Sequence, residues 1–203
     1  MRLLILGATG GTGARLTSQA LDRGNSVTAL VRSPEKMTPR EKLQIVRGDP
    51  RDAGELARTL REHEAVVSAL GAAPGSKRSE DIREAGARST VEAMRRANVR
   101  RLVVVSAAML YPDVGPLGAI VRFILRRHVR DLAAMERVVE ASDLDWTIVR
   151  PPRLTNGPLT GKYRISDHHA PPSSFISRAD CAHAILDLVE KREYVRKVIG
   201  VSR

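Results

Sequence analysis

The chain has 203 residues, 42% of them hydrophobic and 28% charged, which describes a globular polypeptide with a full core and excludes a disordered or fibrous one. No apolar run approaches the roughly 20 residues that span a bilayer, so no membrane segment is expected. The net charge of +11 comes mainly from scattered arginines; with aromatics at 3% and no nucleic-acid fold signature, it is read as attraction for an anionic cofactor and substrate, not for nucleic acid.

Met1 to Gly13 organises the chain. Leu3 to Leu6 is an unbroken apolar run, the pattern of a strand buried on both sheet faces. Since the sequence opens on this core strand, no signal or transit peptide is expected. Gly7, Gly10 and Gly13 follow at G-x-x-G-x-x-G spacing, with Gly11 between, and a helical pattern runs from Ala14 to Arg23. A strand, a glycine turn and a helix in that order form a phosphate cradle, in which the free N–H groups and positive dipole end of the helix face an anion.

Val27 to Val31 reads as a second strand, with Arg32 and Ser33 at its carboxyl end, about 20 residues beyond the glycine turn. An acidic residue there would accept from a ribose 2′-hydroxyl and repel a phosphate; Arg32 and Ser33 suit a 2′-phosphate, so NADP(H) is expected over NAD(H). Leu43 to Val46 is a short third strand. Asp49 beyond it is a candidate acceptor for the adenine amino group, and Asp52 is the expected N-cap of a helix over Ala53 to Glu62.

Ala65 to Leu70 is a fourth strand, followed by the small-residue loop Gly71 to Gly75 and a long helix from Glu80 to Ala97. Leu102 to Val105 is a fifth strand, ending in Ser106. Apolar residues from Leu117 to Val139 recur at helical spacing, as one long amphipathic helix or two with a break, and Arg122, Arg126 and Arg130 form a solvated stripe beside them. Trp146 to Val149 is a sixth strand, terminated by Arg150 to Arg153. Leu159 to Ile165 reads as a turn into a short strand, Ser177-x-x-Asp180 as a helix start before Ala182 to Glu190, and Val195 to Val201 as a last strand.

The alternation implies an α/β fold over residues 1–203 as one domain: a Rossmann-like, doubly wound, mainly parallel sheet with helices on both faces, and ligands outside the carboxyl ends of the strands. Cys181 is the only cysteine, which excludes an intramolecular disulfide and fits the cytoplasm; it reads as a small core residue. His128 reads as an exposed helix residue, and His168 and His169 as solvated loop histidines without metal-ligand partners.

Carbonyl reductases of this architecture pair a tyrosine with a lysine four residues later on the helix after strand five. Here Tyr111 is followed four positions on by Gly115, and no lysine occurs between Lys77 and Lys162. That absence argues against alcohol–ketone interconversion. A planar conjugated acceptor stacked on the nicotinamide requires no such pair, since its proton comes from water and the protein supplies orientation.

The stretches GATGGTG at residues 7–13, Val31-Arg32, Gly48-Asp49, Ser106-Ala107, Arg150-Pro151-Pro152 and Gly157 to Tyr163 together resemble the atypical short-chain dehydrogenase/reductase group of NAD(P)H-binding, NmrA-like proteins, and within it the biliverdin reductase B/flavin reductase type. The resemblance implies NADPH-dependent reduction of a flavin or linear tetrapyrrole. By matching position it assigns Gly7, Thr9, Gly10, Gly11, Thr12 and Gly13 to the pyrophosphate, Arg32 and Ser33 to the 2′-phosphate, and Asp49 and Pro50 to the adenine. Leu70 and Gly71 fall on the ribose side, and Ser106, Pro151, Pro152, Arg153 and Leu154 at the nicotinamide and substrate. Ser106 and Arg153 are the catalytic candidates. Arg153 stands where that type carries a histidine, and Ser174 stands near the place of an arginine. The expected partner is a small, anionic, conjugated acceptor, with the chain a monomer or homodimer; the alternative within the same group is a redox-sensing regulator that binds NADP(H) without turnover.

Overall fold

In the computed structural model, which describes residues 1–71, 82–112, 122–167 and 169–203, β1 (Arg2–Leu6) is hydrogen-bonded on one side to β2 (Ser26–Val31) and on the other to β4 (Ala65–Ser68). β3 (Leu43–Arg47) extends the sheet beyond β2, and β5 (Arg101–Val105) and β6 (Asp145–Arg150) extend it beyond β4, giving the order β3-β2-β1-β4-β5-β6. β10 (Lys197–Ser202) adds a parallel strand to β6, and β8 (Arg164–Asp167) closes that edge antiparallel to β10. The chain leaves β1 towards β2 on one side and later returns to β4 on the other, so the strand order reverses between β1 and β4. In open α/β sheets this is where a crevice opens at the carboxyl edge.

The continuous apolar strands are explained by layers on both faces. Leu3 and Ile5 point towards α1 (Gly11–Asp22) and α5 (Arg178–Glu190), while Leu4 and Leu6 point towards α2 (Ala53–Thr59), α3 (Ile82–Ala97) and α4 (Arg126–Glu140). Each face has its own buried cluster, as the two-sided burial of a parallel sheet requires. Cys181 is fully buried in the first of them, and burial pushes its thiol up to about 12. Arg101, at the start of β5, is 1% exposed and contains its charge within main chain: it donates to the carbonyls of Leu188 (2.6 Å), Asp145 (2.9 Å) and Glu193 (3.1 Å) and to Thr147 Oγ1 (2.8 Å).

Several local expectations hold. Asp52 caps α2 by accepting from the Glu55 N–H at 2.9 Å, and Ser177 Oγ caps α5 by accepting from the Asp180 N–H at 2.9 Å. Others shift. α1 begins at Gly11, because the glycines form its first turn as well as the turn before it. The helical pattern after β5 is broken at Leu125: residues 122–124 are helical and α4 starts at Arg126. Two strands were not anticipated, β7 (Arg153–Thr155) and β9 (Phe175–Ser177), which pair with each other in a separate parallel ribbon. Each has three residues, too few to show a period, and their pairing spans a long intervening segment. Ala72 to Gly75, Glu80, Asp113 to Val121 and His168 lie outside the described residues.

Asp180 ties the segment before β8 to α5. Its carboxylate accepts from the N–H groups of Thr160 (2.7 Å) and Gly161 (2.9 Å) and from the hydroxyls of Thr160 (2.9 Å) and Ser177 (3.0 Å). Burial alone would raise its pKa, but these donors hold it below the ordinary 3.8. The stability it contributes is therefore complete above that value and lost as pH falls through the lower, folded-state value. Asp180→Asn is expected to cost about 1.5–3 kcal/mol in urea unfolding at neutral pH, the range for hydrogen bonds to a charged group, with the gap from the parent protein closing in strong acid.

Candidate functional site

A cleft of about 610 Å³ lies at the carboxyl edge of the sheet, over the β1/β4 reversal. One end is built by the turn between β1 and α1. Gly7 has φ +80°, a conformation open to glycine. A Cβ on Gly7 would stand 2.4 Å from the Ala69 carbonyl oxygen, and one on Gly13 would stand 2.1 Å from the Gly7 carbonyl oxygen. The missing side chains let three backbone segments meet and aim the start of α1 into the cleft. Gly10 is the N-cap of α1, no side chain caps the helix, and its first turn holds no acidic residue. Its leading N–H groups are thus without side-chain partners, a cradle fitted to an anion such as a pyrophosphate.

Gly7, Thr9, Gly10, Gly11 and Thr12 line the cleft as expected, and Gly13 shapes it from behind. Arg32, at the end of β2, reaches one side, with Pro50 beside it. Leu70 and Gly71 form the floor after β4. Ser106, Pro151, Pro152 and Leu154 form the wall after β5 and β6. Ser106 is 7% exposed, and its Oγ has no hydrogen-bond partner among the described residues. A buried hydroxyl is rarely left so, and the place of this one in the lining fits a ligand polar group.

Three expected residues stand elsewhere. Arg153, expected as a catalytic group, is exposed on β7, where strand alternation turns it away from Leu154, and it is not among the lining residues. Ser33 leads into a 3-10 turn, outside the lining. Asp49 also lies outside it, and its carboxylate is held by Arg51 through Nε (3.0 Å) and Nη2 (2.6 Å). Arg51, and more weakly Arg32, keep that carboxyl below the usual carboxylate range.

Arg83, His128 and Arg178 line the cleft without having been singled out for it. Arg178, in the first turn of α5, lays its side chain over Gly11 and donates to Asn156 Oδ1 at 2.7 Å. Arg83, at the start of α3, is 7% exposed and donates to Asp131 Oδ2 on α4 at 3.0 Å. Its Nη1 is also 3.4 Å from His128 Nδ1. His128 is therefore half-buried, not exposed as the helix pattern suggested. Burial, followed by the charge of Arg83, lowers its pKa below 6.5, with Asp131 opposing. The signal that would have found these residues was their position in first turns of helices that start at the carboxyl edge.

Arg150 locks α4 to β6 by donating to Glu136, with Nε at 3.0 Å, and its guanidinium stacks 4.8 Å over the ring of Tyr111. Tyr111 is buried outside the cleft lining, and burial raises its pKa. Of the arginine stripe, Arg122 donates to the Tyr111 carbonyl at 3.4 Å, and Arg126 lies over the exposed Phe123 ring.

Two glycine substitutions, at Gly13 and Gly11, separate turn geometry from simple crowding. Gly13→Ala drives a Cβ into backbone and is expected to cost about 1–3 kcal/mol and to weaken dinucleotide binding. Gly11→Ala meets only the flexible Arg178 side chain, 2.8 Å away, and is expected to cost much less. Thermal unfolding and nucleotide titration of both variants check this contrast.

Comparison with known proteins agrees with this geometry. A family model described as NAD(P)H-binding matches residues 7–192. A chloroplastic protein of Arabidopsis thaliana is 30% identical over 98% of this chain and 76% of its own length. A 3-diazoavenalumate denitrifying reductase from Streptomyces is 31% identical over 81% of this chain and 59% of its own length. Among solved structures, an anaerobilin reductase from Escherichia coli O157:H7 superposes with a TM-score of 0.84 at 25% identity, covering 100% of this chain and 97% of that one. The chain belongs to the NAD(P)H-binding family, on a Rossmann-like fold whose glycine turn forms one end of the cleft.

Proposed function

We propose that the protein is an NADPH-dependent reductase of a conjugated, anionic small-molecule acceptor such as a flavin or linear tetrapyrrole. One observation carries this reading: the buried hydroxyl of Ser106, without a partner among the described residues, lines the cleft together with Pro151, Pro152, Leu154 and Leu132. Such a wall receives flat rings, with one polar handle to orient them. Bound there, the reduced nicotinamide supplies hydride. The glycine turn and the start of α1 hold the pyrophosphate, Arg32 meets the 2′-phosphate, and Arg178 lies over the phosphate end. Arg32, Arg83 and Arg178 make the described lining cationic, which favours an anionic acceptor. The reductases among the relatives support the class of reaction, and the acceptor itself is proposed from the shape and charge of the cleft.

Purified protein is expected to oxidise NADPH when FMN or a quinone-imine dye is added, followed at the reduced nicotinamide band. Tight NADPH binding without reduction of either acceptor would favour the second reading, a redox-sensing regulator, which the missing tyrosine–lysine pair also accommodates. Arg32→Asp is expected to weaken NADPH binding by about tenfold to a hundredfold, the range for a charge-assisted hydrogen bond, and NADH binding far less. Equal loss for both nucleotides would remove Arg32 from phosphate recognition.

A further inference from the structure

Among the described lining residues of the cleft, His128 is the one imidazole, the side chain whose ordinary pKa lies nearest neutral. The other ionisable groups there are the guanidiniums of Arg32, Arg83 and Arg178; no carboxylate, lysine, tyrosine or cysteine is among them. His128 stands in the first turn of α4, the helix after β5, and Leu132, one turn on, lines the same cleft. The pair thus faces the cleft from one side of α4.

The surroundings of His128 select one form of its ring. Arg83 Nη1 lies 3.4 Å from Nδ1, and a guanidinium only donates, so Nδ1 is the accepting nitrogen and Nε2 carries the proton. Arg83 is itself held in place, because Asp131 accepts from its Nη1 at 3.0 Å and from the Glu84 N–H at 3.0 Å. Burial and the Arg83 charge disfavour a second proton on the ring. His128 lines the cleft, and the Arg83 contact at Nδ1 leaves Nε2 as the ring nitrogen open to a ligand.

We propose that His128 is a catalytic hydrogen-bond donor: as a neutral imidazole it presents Nε2–H to the acceptor atom on which negative charge develops, and Arg83 is the positioning residue that sets this tautomer. The inference rests on the reductase reading. In the step, hydride passes from the reduced nicotinamide to an electrophilic atom of the acceptor, and the π pair of the attacked bond moves onto the acceptor's nitrogen or oxygen. His128 hydrogen-bonds that atom, which then takes a proton from water; the nicotinamide is left oxidised, and the hydroxide is neutralised by solvent. Histidine here keeps its proton throughout, acting as an electrophile and not as an acid.

The test has two arms. Nitrogen-15 NMR of the imidazoles, assigned with His128→Gln, is expected to show His128 neutral and protonated on Nε2 at pH 7, and Arg83→Met is expected to release a mixture of tautomers. An imidazolium, or the Nδ1–H tautomer, in the parent protein overturns the proposal. In the second arm, His128→Ala is expected to lower kcat for FMN or quinone-imine reduction by about 100-fold, the scale for loss of one such donor, with NADPH affinity unchanged. His128→Gln, which keeps an N–H, is expected to recover part of that loss. Unchanged kcat in an active enzyme overturns the role of His128 and leaves the reductase reading standing; a parent protein that binds NADPH and reduces neither acceptor overturns both.

Discussion

Two absent side chains hold the molecule's working end together. Gly7 and Gly13 let the end of β1, the start of α1 and the main chain after β4 approach more closely than any Cβ permits. That contact lies at the β1/β4 reversal, so it decides where the mouth of the cleft opens and which way the N–H groups of α1 point. Arg32, Pro50, Leu70 and Gly71 are carried to the same edge by strands parallel to β1. Their convergence follows from the sheet, but the anion site at its centre exists because backbone fills the space where side chains would stand.

The charge of the cleft follows from pairing as much as from composition. Asp49 and Asp131 lie close to it, and each is already engaged by an arginine, Arg51 and Arg83 respectively. Asp180, near the start of α5, is taken up by Thr160, Gly161 and Ser177. The described lining therefore presents arginines and one histidine to a ligand, with the dipole of α1 adding to the same sign. A negative nucleotide meets little opposing charge there.

Much of this was legible in the sequence because the signals were local. The apolar run Leu3 to Leu6, the glycine spacing and the caps at Asp52 and Ser177 each depend on residues a few positions apart. The position of Arg32 was legible as a distance from the glycine turn. Arg153 and Leu154 could not be told apart because three residues of strand show no phase, and phase decides which of two neighbours turns towards the cleft. Asp49 looked available because its partner, Arg51, is only two residues away and gave no pattern of its own. Arg83 escaped notice and His128 was read as exposed because their significance is mutual: helices that place them 45 residues apart in sequence bring them together, and neither has a motif around it.

Arg101 carries a different kind of information. A guanidinium lies at the base of the sheet with main-chain carbonyls in place of a carboxylate, two of them from Leu188 and Glu193 near the end of α5 and just beyond it. β5 cannot shed its water until those carbonyls arrive, because a buried cation without acceptors is costly. The base of the central sheet and the last helix are thereby coupled in stability: loosening the end of α5 withdraws two of the guanidinium's acceptors and leaves a buried cation under-paired.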